Sequence, residues 1–212
     1  MVKGLFVTFE GIEGSGKTTQ VAKLVERLRA CGREVVVVRE PGGTPLAEEA
    51  RRLVLDPGLS PSPAAELFLY LAARADLIER VVIPALERGA TVLADRFDWS
   101  TRAYQIAGRG LPQEAVVRAN ALATGGLEPD LVLVLDLPLG VGRARQQASG
   151  KVRDRMELED ERFHQRVAEA FRAADGGTIV HVRADRSPEA VQAEVWDALA
   201  RRFPLIFSPS VG

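Results

Sequence analysis

Residues 11–18 read Gly11-Ile-Glu-Gly-Ser-Gly16-Lys17-Thr18, the pattern G-x-x-x-x-G-K-S/T. That spacing suits a polyphosphate. Gly11, Gly14 and Gly16 let backbone N–H groups turn inward into an anion nest that side chains would block. A helix N-terminus behind the loop adds partial positive charge, Lys17 reaches the β- and γ-phosphates, and the Thr18 hydroxyl is placed for Mg²⁺. A glycine-rich turn without function is the bland alternative. The flanks weigh against it: an apolar run, Leu5–Phe9, precedes the loop, and Val21, Leu24, Val25 and Leu28 follow at helical spacing.

Three further groups carry chemistry. Asp95 and Arg96 end the buried run Thr91–Arg96, and an acidic residue there, beside a phosphate loop, belongs to Mg²⁺ or its waters. Arg74 falls on an apolar helical stripe one turn after Tyr70 and therefore needs a partner, because an unpaired buried charge is costly. Either Glu66 or Asp76 pairs with it, or Tyr70 and Arg74 line a pocket, one stacking and one hydrogen bonding. Between Arg143 and Arg155 stand five cations and one anion, with Ser149-Gly150 inside. A charge run is usually a solvated face; the glycine break and one-sided sign favour a mobile basic flap at about 143–156.

The elements that must position these residues alternate. Strands are expected at Leu5–Phe9, Glu34–Val38, Thr91–Arg96, Leu131–Leu135 and Thr178–Val182. Helices follow the first strand, then occupy Pro45 to about Leu55, about Ala64 to Arg88, the stretch around Ser100–Gln105, Gln113–Thr124, a start near Leu139, Glu157–Ala174 and Pro188–Phe203. In the second of these, Ala47, Ala50, Leu53 and Val54 face inward, while Arg51 and Arg52 form either a surface pair or a contact with the preceding loop. The tail, Pro204–Gly212, packs on the surface or frays. The reading is α/β: a single doubly wound domain over residues 1–212, with an about five-stranded parallel sheet and helices on both faces.

Composition excludes several classes. In 212 residues, 46% hydrophobic content supports one sizeable core, and a net charge of −1 argues against an indiscriminate nucleic-acid binder. No apolar stretch approaches a membrane span, and Met-Val-Lys runs straight into a strand without a signal peptide. The single cysteine, Cys31, excludes an internal disulfide, fits a cytoplasmic location, and reads as a packing residue at the end of the first helix. With only His164 and His181, a histidine-rich metal site or a Ser-His-Asp triad has little to work with. Asn120 is the only asparagine and arginine far exceeds lysine, which fits a thermophile or a GC-rich genome.

Three stretches together resemble the thymidylate kinases: Glu10–Gln20, Arg39-Glu-Pro-Gly-Gly-Thr44, and Asp95-Arg96 with Ala103-Tyr-Gln105. Glu66 through Arg74 and Asp154-Arg-Met-Glu157 add to the resemblance. It implies the reaction ATP + dTMP → ADP + dTDP, with Mg²⁺, in a homodimer. Lys17 and the Gly14–Thr19 backbone, including Ser15 and Thr19, would hold ATP phosphates beside Gly11, with Thr18 and Asp95 serving the metal. Arg96 and Arg51 would clamp the dTMP phosphate, near Arg39 and Pro41 of the second loop. Tyr70 would stack on the base, Arg74 would donate to the thymine carbonyl, and Thr101 and Gln105 would contact the base edge. Tyr104 would lie against the deoxyribose and Glu13 would accept from its 3′-hydroxyl. Arg145 and the loop around Asp185 would border ATP. Gly14 stands where some members of the family carry an arginine, so this chain resembles the bacterial subtype, whose flap supplies the catalytic arginines, here Arg153 and Arg155. Phe97, where a tyrosine or histidine is usual, departs from the pattern. On the residues alone, another nucleoside-monophosphate or deoxynucleoside kinase, or a P-loop switch, stays open.

Overall fold

Side-chain alternation along the first strand sets the layering. In a computed structural model of the chain, which describes residues 4–207, β1 spans Leu5–Glu10. Leu5, Val7 and Phe9 pack with Val21, Leu24 and Leu28 of α1 (Lys17–Ala30). Phe6 turns to the opposite face and meets Val38, Val92, Ala94 and the helical residues Leu77, Ile78 and Val82. Helices therefore cover both faces of the sheet. Its five strands run in the order β2-β3-β1-β4-β5, all parallel, with β2 at Val35–Arg39, β3 at Thr91–Asp95, β4 at Leu131–Asp136 and β5 at Ile179–Arg183. The order reverses beside β1, so the loops after β1, β2 and β3 open on one carboxyl-end crevice, the usual place for a ligand in such a sheet.

Three expected elements differ in extent. The single helix expected from Ala64 to Arg88 is α3 (Pro63–Leu77), a π-helical turn (Ile78–Val82) and α4 (Ile83–Glu87). Pro84 has no N–H for the α-helical ladder, and the wider turn before it absorbs the break. The stretch after β3 is likewise a short α5 (Asp98–Thr101) followed by a π-helical segment, Arg102–Gly108. The helix expected from Glu157 begins instead at Glu161 as α8 (Glu161–Arg172), because the Asp160 side chain caps it by accepting from Phe163 N. Ahead of it, Asp154 and Glu157 exchange backbone-to-carboxylate bonds that hold a separate turn.

The remaining helices are α2 (Pro45–Leu55), α6 (Gln113–Thr124), α7 (Leu139–Ala148), α9 (Pro188–Arg202) and α10 (Pro204–Phe207). Leu53 of α2 is exposed rather than inward-facing. Cys31 is exposed too, because it caps α1 where the chain turns away from the core. In the tail, Phe207 is buried against Trp196 and Phe203, while residues 208–212 lie outside the described residues.

Candidate active site

The loops at the carboxyl ends of β1, β2 and β3, the start of α7 and the segment before α8 surround one cleft of about 750 Å³. Gly14, Lys17 and Thr18 line it from the phosphate loop. Lys17 is not solvent-facing: its ammonium folds back on the loop and donates to Gly11 O at 3.0 Å and Ile12 O at 2.9 Å. Burial first, and then the charge of Arg96, push it down to about 8. The Thr18 hydroxyl donates to Asp95 Oδ2 at 2.7 Å across the β1–β3 pair. This hydroxyl–carboxylate pair is a hard oxygen donor set of the kind Mg²⁺ prefers. No three His, Cys, Asp or Glu side chains cluster as a metal site among the described residues, so such an ion would draw its other ligands from phosphates and water. Gly11, Ser15, Gly16 and Thr19 form the loop and first helical turn without lining the cleft themselves.

Gly14 does more than permit a turn. It has φ of 77°, and a Cβ there would stand 2.5 Å from the backbone oxygen of Gly142 in α7. A Cβ on Gly142 would in turn meet Glu13 O at 2.6 Å. Two glycines thus let α7 sit directly on the phosphate loop. From this seat Arg145 donates to Gly14 O at 3.2 Å and to Ala184 O at 3.1 Å, joining the loop to the segment after β5. Asp185 lies beyond this bridge, exposed, paired with Arg183 and outside the cleft.

Against the phosphate loop, charges are buried in pairs. Arg96 leaves β3 with φ of 77°, and its guanidinium donates to Gly11 O and Ser100 Oγ, both at 3.1 Å, and to Glu13 at 2.9 Å. Burial opposes its charge, yet Tyr104, Glu13 and Asp95 hold its pKa above the ordinary arginine value. Glu10, fully buried at the end of β1, fixes this turn: it accepts from Phe97 N at 2.9 Å, Ser100 N at 3.2 Å and Ser100 Oγ at 2.6 Å. Burial lifts its carboxyl to about 7. Tyr104 donates to Glu13 and packs on Phe163 and Phe171 while keeping a place in the cleft lining. Glu13, expected to meet a sugar hydroxyl, is therefore already engaged twice.

Arg74 pairs with Glu40, neither Glu66 nor Asp76; the carboxylate lies 2.6 Å from its Nη2. Its other donors go to Thr101 Oγ1 and Phe97 O, both at 2.9 Å, and to Asn120. Sequence reasoning missed Glu40 and Asn120 as partners. The signal was present for Glu40, a carboxylate directly after an apolar strand. Tyr70 and Arg51 complete the lining on this side; Arg51 donates to Pro41 O at 2.9 Å, while Arg52 points away to Glu49. Pro41 follows a cis peptide and also accepts from Arg39, which pairs with Glu48.

The two flap arginines part company. Arg153 is exposed, lines the cleft and donates to Glu157 O. Arg155 lies outside the lining: its Nε donates to Val54 O at 2.8 Å, its Nη2 to Glu66 at 2.6 Å, and its backbone N to Leu55 O at 3.1 Å. Glu66, fully buried, also receives Gln105 Nε2 at 2.9 Å and Arg109 at 2.8 Å. Burial alone would raise its carboxyl, but the bonds from Arg109, Gln105 and Arg155 bring it below the ordinary carboxylate range. This cluster was not legible beforehand, since its members lie far apart in sequence.

The Thymidylate kinase family model matches residues 9–195 of the chain. The thymidylate kinase of Deinococcus radiodurans is 46% identical over 205 residues, covering 95% of this chain and 99% of that relative. That of Synechococcus sp. is 50% identical over 204 residues, with 95% and 97% covered. That of Geobacter sulfurreducens is 45% identical over 210 residues, with 95% and 99% covered.

Proposed function

We infer the reaction from the premise that this chain belongs to the thymidylate kinase family: it is a phosphotransferase that passes the γ-phosphoryl group of ATP to the 5′-phosphate of dTMP, giving ADP and dTDP. The observation that carries this reading is one cleft lined by a phosphate-loop lysine and by arginines suited to a second phosphate. Lys17 and Gly14 line it from the phosphate loop, Arg96 stands against that loop on Gly11 O and Glu13, and Arg51 lines it from α2, held by Pro41 O. Tyr70, Arg74, Thr101 and Gln105 line the same cleft and are the groups suited to a base.

The donor's β- and γ-phosphates lie on the backbone N–H groups of Gly14 to Thr19 and on Lys17, which turns from the loop carbonyls to the phosphates. Thr18 and Asp95 hold Mg²⁺, which when bound neutralises charge on the phosphate oxygens. Arg96 and Arg51 grip the acceptor phosphate with guanidinium forks, and Arg39 reinforces that edge through Pro41. No side chain acts as a strong base, because the acceptor oxygen is already anionic; positioning and neutralisation do the catalysis. Arg153 is the lid residue that supplies charge to the transferring group, with Arg145 against the ATP side. Tyr104 excludes a ribose 2′-hydroxyl by lying against the sugar.

A deoxynucleoside kinase would need a free carboxylate as base at a 5′-hydroxyl. Glu13 is tied to Arg96 and Tyr104, and Glu40 to Arg74, which weighs against it. No described helix is long and apolar enough to cross a membrane. The chain works as a cytoplasmic enzyme on small nucleotides, without nucleic-acid partners, as one domain. It pairs as a homodimer through α3 and α6, where Phe68 is 63% and Leu122 86% exposed. Sedimentation should give twice the mass of the chain. A coupled ADP-release assay decides the reaction: turnover with dTMP is expected, and none with thymidine. Equal ADP release with no acceptor would indicate an ATPase instead.

A further inference from the structure

Gln105 is 2% exposed and lines the cleft, yet only half of its amide is used. Its Nε2 donates to Glu66. Its Oε1 has no donor among the described residues, and it is not among the buried atoms sealed from solvent. Which end of a glutamine amide faces a pocket is normally a free choice, since the two ends differ only by a half-turn of the side chain. Here the choice is made by a neighbour. Arg109 and Arg155 both donate to Glu66 and hold it ionised, and an ionised carboxylate can only accept. The amide must therefore turn its NH₂ to Glu66 and its carbonyl to the cleft.

We propose that Glu66 is a positioning residue for base selection: by holding Gln105 in one orientation, it makes the cleft present a hydrogen-bond acceptor to the base edge. Resting on the dTMP reading, this deepens it. Thymine carries N3–H, a donor, at that edge; the cytosine ring nitrogen N3 is an acceptor and would face the Gln105 carbonyl across an unmade bond. A buried polar group left unpaired costs more than the bond it replaces gains. The same carboxylate is held by Arg155, so the segment that leads from the lid into α8 is anchored through the residue that orients the base reader.

The chemistry of a neutral replacement makes the idea testable. In Glu66→Gln, the new carbonyl is drawn to the position shared by the two guanidinium groups, and its NH₂ then faces Gln105. Gln105 must answer with its own carbonyl, and its NH₂ turns to the cleft. In Glu66→Asp the carboxylate stays acceptor-only.

The probe is the monophosphate of 5-methyl-isodeoxycytidine, the 2-amino-4-oxo isomer of the 5-methylcytosine nucleotide. It keeps the 5-methyl group and O4 of dTMP and has an acceptor at N3. Purified wild type, Glu66→Gln and Glu66→Asp are compared by kcat/KM for dTMP and for the probe, with melting curves confirming the fold. The probe differs at N3, an acceptor in place of N–H, and at C2, an amino group in place of the carbonyl, so wild type should prefer dTMP by about tenfold or more, the size of at least one mismatched hydrogen bond. Glu66→Gln should narrow that ratio by about tenfold and Glu66→Asp should hold it, the latter being the rescue by a conserved carboxylate. A purely structural role would lower both substrates together and leave the ratio alone. A folded Glu66→Gln with the wild-type ratio overturns the role of Glu66 while dTMP turnover still stands. If Glu66→Gln does not fold, the wild-type chain decides: equal use of the two substrates overturns the proposal, and rejection of the probe supports it. Failure of the wild type to phosphorylate dTMP at all would overturn the reaction and this inference with it.

Discussion

The two sides of the cleft hold their charges in opposite ways. On the base side, Arg74 is 2% exposed along its side chain and each of its three guanidinium nitrogens is bonded, to Glu40, Thr101, Phe97 O and Asn120. Glu66, Glu10 and Arg96 are similarly surrounded. On the lid side, Lys151 and Arg153 are exposed, and Arg143 pairs with a solvent-facing Glu161 at 3.3 Å. Buried charges must be paired to be tolerated, so the base side is assembled when the chain folds. The lid side keeps Lys151 and Arg153 exposed, which suits the proposed role of meeting a phosphoryl group there. On the proposed reading, selection is built into the fold, and neutralisation of the transferring charge falls to exposed side chains such as Arg153 and Lys151.

The largest expected break lies between the sides. Lys17→Ala should abolish phosphoryl transfer, measured as ADP release, while the melting temperature shifts by only a few degrees, because its bonds are to loop carbonyls at the cleft. A collapse of the melting curve would place Lys17 with the buried structural charges instead.

The two arginines that flank Asp154 sharpen the comparison next. Arg153→Ala should lower kcat by roughly 10³-fold with an unchanged melting curve, as for an arginine that stabilises transferring charge. Arg155→Ala should instead lower the melting temperature by several degrees, since it strips Glu66 and Val54 O of a partner. Identical behaviour of the two variants would erase the line drawn between lid and wall.

A smaller effect is expected where the sides touch. Gly14→Ala puts a Cβ 2.5 Å from Gly142 O and must displace α7 from the phosphate loop. A misplacement of that scale should reduce kcat by up to about a hundredfold. Wild-type kcat in this variant would mean that the seat of α7 on the loop is not needed for catalysis.

The smallest effect concerns pH. Glu10 has its carboxyl raised from 4.5 to about 7, so the folded chain binds more protons than the unfolded one between those values. Its contribution to stability therefore falls as pH rises through that window, by at most about 1.4 kcal/mol per pH unit. Glu10→Gln should flatten that slope in denaturant titrations. If the slope persists, other buried carboxyls, Glu40 among them, carry it.

The chain by itself determined everything that depends on local spacing. The phosphate loop with Lys17 and Thr18, the five strands and the helices between them follow from glycine placement, short apolar runs and the 3.6-residue helical period, which neighbouring residues alone can express. The demand that Arg74 find a partner was also legible, because a charge on an apolar stripe needs one. Its partner was not: Glu40 lies 34 residues away and arrives only when β2 and α3 meet. The Glu66–Arg155 bond spans 89 residues, and the Gly14–Gly142 contact joins two glycines whose need to be glycines shows only when their backbones meet. Helix boundaries fell to tertiary structure where a cap or a proline competed with periodicity, at Asp160 and before Pro84. Spacing along a chain says which side chains share a face; only the closed fold decides which faces touch.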